Sequence, residues 1–381
     1  MIVTKLSKNS DKKVLLEKVG STQEGARIMI DKMDMHYFYL KGIKTPAANI
    51  LKQDALSIGA ELAVEKDTIL CKEEHVDALL IATSKQLKVL AKKELMQPFG
   101  LKQLALTLKE HMLIKRFEPR IMGILNINED SFFEGSRSQE WDIKEKIEQM
   151  IQEGADIIDI GAVSSRPGAR EVPVEEEFSR LKGIIDMIYL GQYHDKVRFS
   201  LDSYAHQPLE YALDKGFSII NDITGLRSDT ICKLAATYKA TVVLMHMQGL
   251  PQTMQENPHY HDVIAEVDTF FRERLEKAEH FGIREVILDV GIGFGKRLEH
   301  NLKLIKHLGH FRHFGCEILM GASRKSLIND IKTTAVKDRL PGTLVLHQKA
   351  IEEGASILRV HDVKAHRQML DVYQALEGTG L

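Results

Sequence analysis

The sequence predicts an α/β protein, a closed TIM-type (β/α)8 barrel preceded by a small α+β domain, and three observations predict it. From Arg120 onward, short apolar runs alternate with amphipathic helical stretches eight times over. The runs do not alternate between apolar and polar residues, as befits parallel strands covered on both faces. Polar or charged residues follow nearly every run, where such barrels keep their chemistry.

Residues 1–117 read as a separate unit. Ser21 or Thr22 caps a helix over Ser21–Met33, in which Ala26, Ile28, Met29, Ile30 and Met33 fall near helical spacing. Met35–Ile43 is strand-like, Thr45-Pro46 opens a helix running through Ile58, and Glu61–Cys71 suits a short hairpin. Val76–Ala82 precedes a basic amphipathic helix around Lys85–Leu95, Gln97-Pro98 breaks the chain, and Leu101–His111 makes a last helix. With no glycine-rich phosphate loop and no catalytic cluster, this domain reads as a module for packing or assembly.

Residues 118–381 carry the barrel. Its strands are expected at Ile121–Leu125, Ile157–Ile160, Val197–Leu201, Ser218–Ile220, Thr241–Met245, Val286–Leu288, Glu317–Met320 and Ser356–Val360. Helices are expected between them, at Trp141–Glu153, Val174–Tyr189, Pro208–Lys215, Asp229–Tyr238, Tyr260–Phe281, Glu299–His310 and Val336–Glu353. Gly154, Gly216 and Gly354 end three of these helices, where a left-handed residue closes the last turn.

Composition narrows the function. A formal charge of -2, with no lysine-arginine block, leaves no electrostatic footprint for nucleic acid. No apolar run approaches the roughly 18 residues of a membrane helix, and the amino terminus lacks a signal-peptide core, so neither membrane nor export is expected. Cys71, Cys232 and Cys316 are odd in number and not at metal-ligand spacing, which fits reduced thiols in the cytoplasm.

The strand ends hold the candidate site. Asn126 closes the first strand and opens a loop with Glu129, Asp130 and Glu134 around Phe132-Phe133, an odd composition for a solvated connector. The second strand leads into Gly161–Gly168, which includes Ser165, Arg166 and Pro167. The third ends in Asp202, the fourth in Asn221-Asp222, the fifth in His246 and the sixth in Asp289. The seventh leads into Gly321–Ser326, and the eighth carries Arg359 and His361, two apart and so on one side of the strand. Each alone is more often a helix cap than a ligand contact; all eight together point to a site.

The segments ILNINEDSF, GADIIDIGAVSSRPGA, SLDS, IINDITG, VVLMHMQG, ILDVGIGFGK, GASRKS and RLPGTL…RVHDV resemble, in order and spacing, the motifs of dihydropteroate synthase. The resemblance spans about Arg120 to Leu370 and leaves the amino-terminal domain uncovered. It implies an enzyme joining 6-hydroxymethyl-7,8-dihydropterin diphosphate to 4-aminobenzoate, with release of diphosphate, in folate synthesis. It also implies a homodimer and a target of sulfonamides. Asp202, Asn221, Asp289 and Lys325 would hold the pterin, since a buried carboxylate can accept two ring-edge N–H donors. Arg359 and His361 would take the diphosphate, with Asn126 holding Mg2+ against it. Phe132, Ser165, Arg166, Pro167 and Ser326 would bind 4-aminobenzoate. Arg359, His361, Lys325 and Asp130 are the catalytic candidates.

Departures from the family pattern cluster in the first two loops. The usual Asn-Val-Thr-Pro-Asp reads Asn126-Ile127-Asn128-Glu129-Asp130, and the usual Glu-Ser-Thr-Arg-Pro reads Val163-Ser164-Ser165-Arg166-Pro167. They bear on aminobenzoate affinity rather than on the pterin or diphosphate. Pterin-dependent methyltransferases use a similar barrel, but methyl transfer has no use for an anion site at Ser323-Arg324-Lys325 and Arg359/His361. A non-catalytic pterin-binding protein would bind pterin yet release no diphosphate.

Overall fold

The computed structural model describes residues 1–7, 10–127, 137–163, 172–250 and 252–379. The chain divides into two compact units, Met1–Ile114 with Val372–Leu381, and Lys115–Asp371.

In the first unit, helices α1 (Lys12–Lys18) and α2 (Gln23–Met33) precede strand β1 (Met35–Lys44), α3 (Thr45–Ser57), β2 (Glu61–Val64), β3 (His75–Thr83), α4 (Ser84–Glu94) and α5 (Leu101–Glu110). The sheet is antiparallel, in the order β1-β3-β2. The hairpin expected within Glu61–Cys71 is not there. Strand β2 pairs instead with β3, because Asp67 and Cys71 adopt left-handed conformations around a 3-10 turn and His75–Thr83 alternates buried with half-buried or exposed positions. Leu51, Leu62, Leu80, Leu87, Leu90, Leu101 and Leu108 fill the core between sheet and helices. Thr83 caps α4 through a reciprocal box with Gln86, satisfying two amides that would otherwise lack partners.

In the second unit, eight parallel strands close into a barrel in the order β10-β11-β4-β5-β6-β7-β8-β9. They are β4 (Arg120–Asn126), β5 (Ile157–Gly161), β6 (Arg198–Asp202), β7 (Ile219–Asp222), β8 (Thr241–Met245), β9 (Val286–Asp289), β10 (Glu317–Met320) and β11 (Ile357–Val360). Helices α6 (Arg137–Gln152), α7 (Val174–Leu190), α8 (His206–Asp214), α9 (Asp229–Tyr238), α10 (Val263–His280) and α11 (Leu298–Lys306) connect the first seven. After β10 come α12 (Ser326–Ile331) and α13 (Leu340–Glu352), and α14 (Val363–Glu377) follows β11. Gly154, Gly216 and Gly354 have φ of +91°, +88° and +99°, the left-handed ends expected of them. The single helix expected over Val336–Glu353 is divided: Val336–Asp338 is a 3-10 turn, and α13 restarts with Pro341 in its first turn.

Candidate active site

The barrel interior has an apolar floor of Met122, Ile157, Ile219, Val243, Ile287, Leu319 and Ile357. Side chains on a strand return to the same face every second residue, so the next interior layer lies two positions further along. There the sequence places Asp159 on β5, Asn221 on β7, Asp289 on β9 and Arg359 on β11, while β6 adds Asp202, two beyond buried Ser200. On five of the eight strands, then, a polar and charged layer stands above the apolar floor, toward the carboxyl ends.

Arg359 organises that layer. Its Nε donates to Asp159 Oδ2 at 2.7 Å and its Nη2 to Asp202 Oδ2 at 2.8 Å, while Asn221 Nδ2 donates to Asp159 Oδ2 at 3.0 Å. Burial by itself would lower the Arg359 pKa, and the two carboxylates more than offset it, so the guanidinium stays charged. Burial pushes Asp202 up to about 7; Arg359 pulls the other way, and Asp159 adds to the rise. One cation shared by two acids leaves the cluster short of positive charge, and Asp159 Oδ1 is buried without a partner among the described residues.

Asp289 is buried, and its Oδ1 accepts the Gly291 amide at 2.8 Å. Burial raises its pKa, chiefly against the pull of Lys325. The Lys325 ammonium donates to the Ile292 carbonyl and lies 4.5 Å from the centre of the Phe294 ring; burial lowers its pKa to about 8. The loop after β9 is drawn tight by Lys296, whose Nζ donates to the carbonyls of Gly291 at 2.9 Å, Phe294 at 3.0 Å and His246 at 3.2 Å. His246 Nδ1 lies 2.9 Å from the same nitrogen, so this histidine serves the loop as a neutral structural partner.

The ends of β10 and β11 meet through Ser323, whose Oγ lies 2.9 Å from His361 Nδ1 and accepts the His361 amide at 3.2 Å. Beside them Arg324 donates through Nε to Asp362 at 2.9 Å, an ion-pair role for this arginine. Ser326 is exposed at the first position of α12, and Asn126 is exposed at the end of β4. The expected residues Asp130, Phe132, Ser165, Arg166 and Pro167, like Asn128 and Glu129, lie outside the described residues.

The structure therefore gathers Asp202, Asn221, Asp289, Lys325 and Arg359 at one end of the barrel, with His361 at the rim. It also brings in two residues that sequence reasoning missed. Asp159 sits inside the apolar run of β5, where an acid has no reason to be unless it is paired; period-two counting from Ile157 would have found it. Lys296 is buried among backbone carbonyls, burial brings its pKa down to about 7, and its signal was the adjoining Gly291-Ile292-Gly293-Phe294-Gly295 run.

Comparisons with known proteins agree with this geometry. A family model described as pterin binding enzyme matches residues 122–361. The bifunctional dihydropteroate synthase/dihydropteroate reductase of Helicobacter pylori is 43% identical over 380 residues, covering 100% of each chain. The dihydropteroate synthase of Escherichia coli K12 is 41% identical over 260 residues, 68% of this chain and 91% of its own. The solved dihydropteroate synthase of Xanthomonas albilineans with 4-aminobenzoic acid is 36% identical, with a TM-score of 0.63, covering 69% of this chain and 94% of that one. The charged layer, the ordered motifs and these relatives converge: the chain belongs to the dihydropteroate synthases, transferases that condense 6-hydroxymethyl-7,8-dihydropterin diphosphate with 4-aminobenzoate in folate biosynthesis.

Proposed function

We propose that the polar layer divides the reaction's work between its two sides. Asp202, Asn221, Asp289 and Lys325, with Asp159 behind them, hold the pterin ring; buried acceptors facing ring N–H donors carry this reading. The bonds from Arg359 to the acids use Nε and Nη2, and Nη1 makes none among the described residues. That nitrogen, with His361 and Ser323 at the rim, supports a diphosphate site at the ends of β10 and β11.

The chemistry asks for leaving-group stabilisation more than for a base. The bond from the pterin methylene to the diphosphate oxygen breaks with its electron pair going to diphosphate, and the electron-rich ring delocalises the cation in a largely dissociative substitution. The neutral aniline nitrogen then bonds to the methylene and gives its proton to solvent or diphosphate. Positive charge near the departing oxygens and a dry, oriented pocket supply the rate. Ser326, exposed at the start of α12, would take the aminobenzoate carboxylate, with Phe132, Ser165, Arg166 and Pro167 as the loop contribution.

Magnesium fits this donor set only in company with substrate. Among the described residues no three His, Cys, Asp or Glu side chains bring ligand atoms together at the barrel mouth. Asn126 offers an amide oxygen 3.7 Å from where a β-carbon on Gly161 would stand, and Asp202 Oδ2 lies at the same 3.7 Å. Mg2+ keeps few protein ligands and completes its shell with phosphate and water, and there it would neutralise leaving-group charge. Chelation with EDTA should abolish diphosphate release while leaving binding of a pterin without diphosphate intact; full turnover in EDTA rules the metal out.

The decisive experiment is diphosphate release from the pterin diphosphate, with and without 4-aminobenzoate, by wild type and Arg359→Ala. Coupled release should fall at least a hundredfold in the variant, roughly 3 kcal/mol of lost transition-state stabilisation. Pterin binding without coupled product in the wild type would instead favour a non-catalytic pterin-binding protein. Sedimentation of the purified chain tests the homodimer that the resemblance implies. The free cysteines, Cys71, Cys232 and Cys316, support a cytoplasmic setting.

A second activity is supported by one observation: the relative that matches from end to end is bifunctional, whereas the monofunctional Escherichia coli enzyme matches 68% of the chain. We infer that this chain also reduces dihydropteroate, taking a hydride from a reduced nicotinamide or flavin onto the ring C=N and a proton from solvent. Formation of tetrahydropteroate under those conditions tests it, and its absence with either donor sinks it.

A further inference from the structure

Helix α13 presents Arg339, Thr343 and His347 at intervals of four residues, one stripe along the helix, beginning at its cap. All three hold the loop that leaves β10. Arg339 Nη1 donates to the Arg324 carbonyl at 3.0 Å, Thr343 Oγ1 accepts the Arg324 amide at 3.0 Å, and His347 Nε2 accepts the Ala322 amide at 3.2 Å. The loop's backbone is thus bound on both sides of Ser323, the residue that touches His361.

His347 is itself held. Its Nδ1 lies 2.9 Å from His366 Nε2, and His366 Nδ1 lies 2.7 Å from the Asp362 carbonyl. Both rings are fully buried. The chain of partners assigns every proton. The Ala322 amide can only donate, so His347 Nε2 must accept and Nδ1 must carry the hydrogen. His366 Nε2 then accepts, and its Nδ1–H donates to Asp362, whose carbonyl can only accept. Both histidines are therefore neutral, the direction in which burial drives them. Asp362 closes the circuit, since its carboxylate takes Arg324 from the same loop.

We propose that His347 and His366 are positioning residues for the reaction: a neutral buried relay that fixes the β10 loop, with Ser323 and Lys325, against the β11 end, with Arg359 and His361. This rests on the diphosphate site proposed above. Two loops from adjacent strands can share one anion only if their spacing is held, and here no backbone ladder continues past Met320 and Val360 to hold it.

The test is steady-state kinetics of the full chain. His347→Leu removes both hydrogen-bonding roles, whereas His347→Gln keeps an acceptor for Ala322 and a donor for His366. In His347→Leu, KM for pterin diphosphate should rise at least tenfold and the inhibition constant of inorganic diphosphate should rise with it, while KM for 4-aminobenzoate stays within about twofold. His347→Gln should recover most of the loss. Thr343→Val, which removes the acceptor for the Arg324 amide together with the hydroxyl's donation to the Arg339 carbonyl within the same helix, should show the same selective shift more weakly, and it serves if His347→Leu fails to fold. Equal changes for both substrates, no change in either variant, or no recovery in His347→Gln would overturn the relay. His361→Ala separates the two layers of the reading. If it too leaves pterin diphosphate KM unchanged, the diphosphate site is misplaced; if it raises KM while His347→Leu and Thr343→Val do not, the relay alone fails.

Discussion

Asp202 and Lys325 must be charged to do what is proposed of them, and the barrel works against both. Burial lifts Asp202 to about 7 and brings Lys325 down to about 8. Below about 7 Asp202 gains a proton and loses an acceptor for the pterin; above about 8 Lys325 loses its charge. The kcat/KM for pterin diphosphate should therefore be bell-shaped, with its acid limb near 7 and its alkaline limb near 8. Lys325→Arg should remove the alkaline limb, and a profile flat from pH 6 to 9 would refute the assignment. The stability effect of Asp202 runs the other way. Its folded pKa lies above the unfolded value, so its contribution is fully present at low pH and is lost as pH rises through 7. The stability of wild type relative to Asp202→Asn should accordingly be greater at pH 5 than at pH 8 in urea titrations.

At the scale of elements, the loop after β9 is the tightest joint in the site. Gly291 has φ of +67°, and a β-carbon there would stand 1.9 Å from the His246 carbonyl oxygen, a backbone atom that cannot swing aside. The same residue supplies the amide that Asp289 accepts. Gly291→Ala should cost roughly 3 kcal/mol or more from the left-handed backbone plus forced displacement, and should weaken pterin binding. Gly282→Ala, with φ of +81° and nothing within 4 Å of the added carbon, is the control and should cost about 1 kcal/mol. Equal urea midpoints for the two would show that the loop yields. The strands themselves were legible because a buried parallel strand writes itself as an uninterrupted apolar run. The misplaced hairpin of the first unit was not, since β2 is short and its partner lies beyond a 3-10 turn with left-handed residues that no local propensity announces.

At the scale of the whole molecule, the two compact units are joined in sequence by a segment without regular structure, and residues 113–118 are exposed. Lys115 and Arg116 lie in it, so limited trypsin digestion of the native chain should cut there first, and initial cleavage elsewhere would deny the boundary. Among the described residues no helix is long and apolar enough to cross a membrane. The stretch matched by the pterin binding enzyme family model, residues 122–361, lies within the second unit.

The sequence alone determined the barrel, its strand order and the family, because apolar runs, glycine helix ends and motif order are local properties that survive without coordinates. It also brought Asp202, Asn221, Asp289, Lys325, Arg359 and His361 forward as candidates, by their place at or just after strand ends and by the family resemblance. Only the tertiary structure decided which charges meet. Arg359 and Asp159, 200 residues apart, become partners because closing the barrel brings β11 within two strands of β5. The choice of Asp159 as a site acid, of Lys296 as a loop clasp and of His347 with His366 as a buried pair depends on directional contacts across elements, and hydrogen bonds of that kind have no periodicity for a sequence to display.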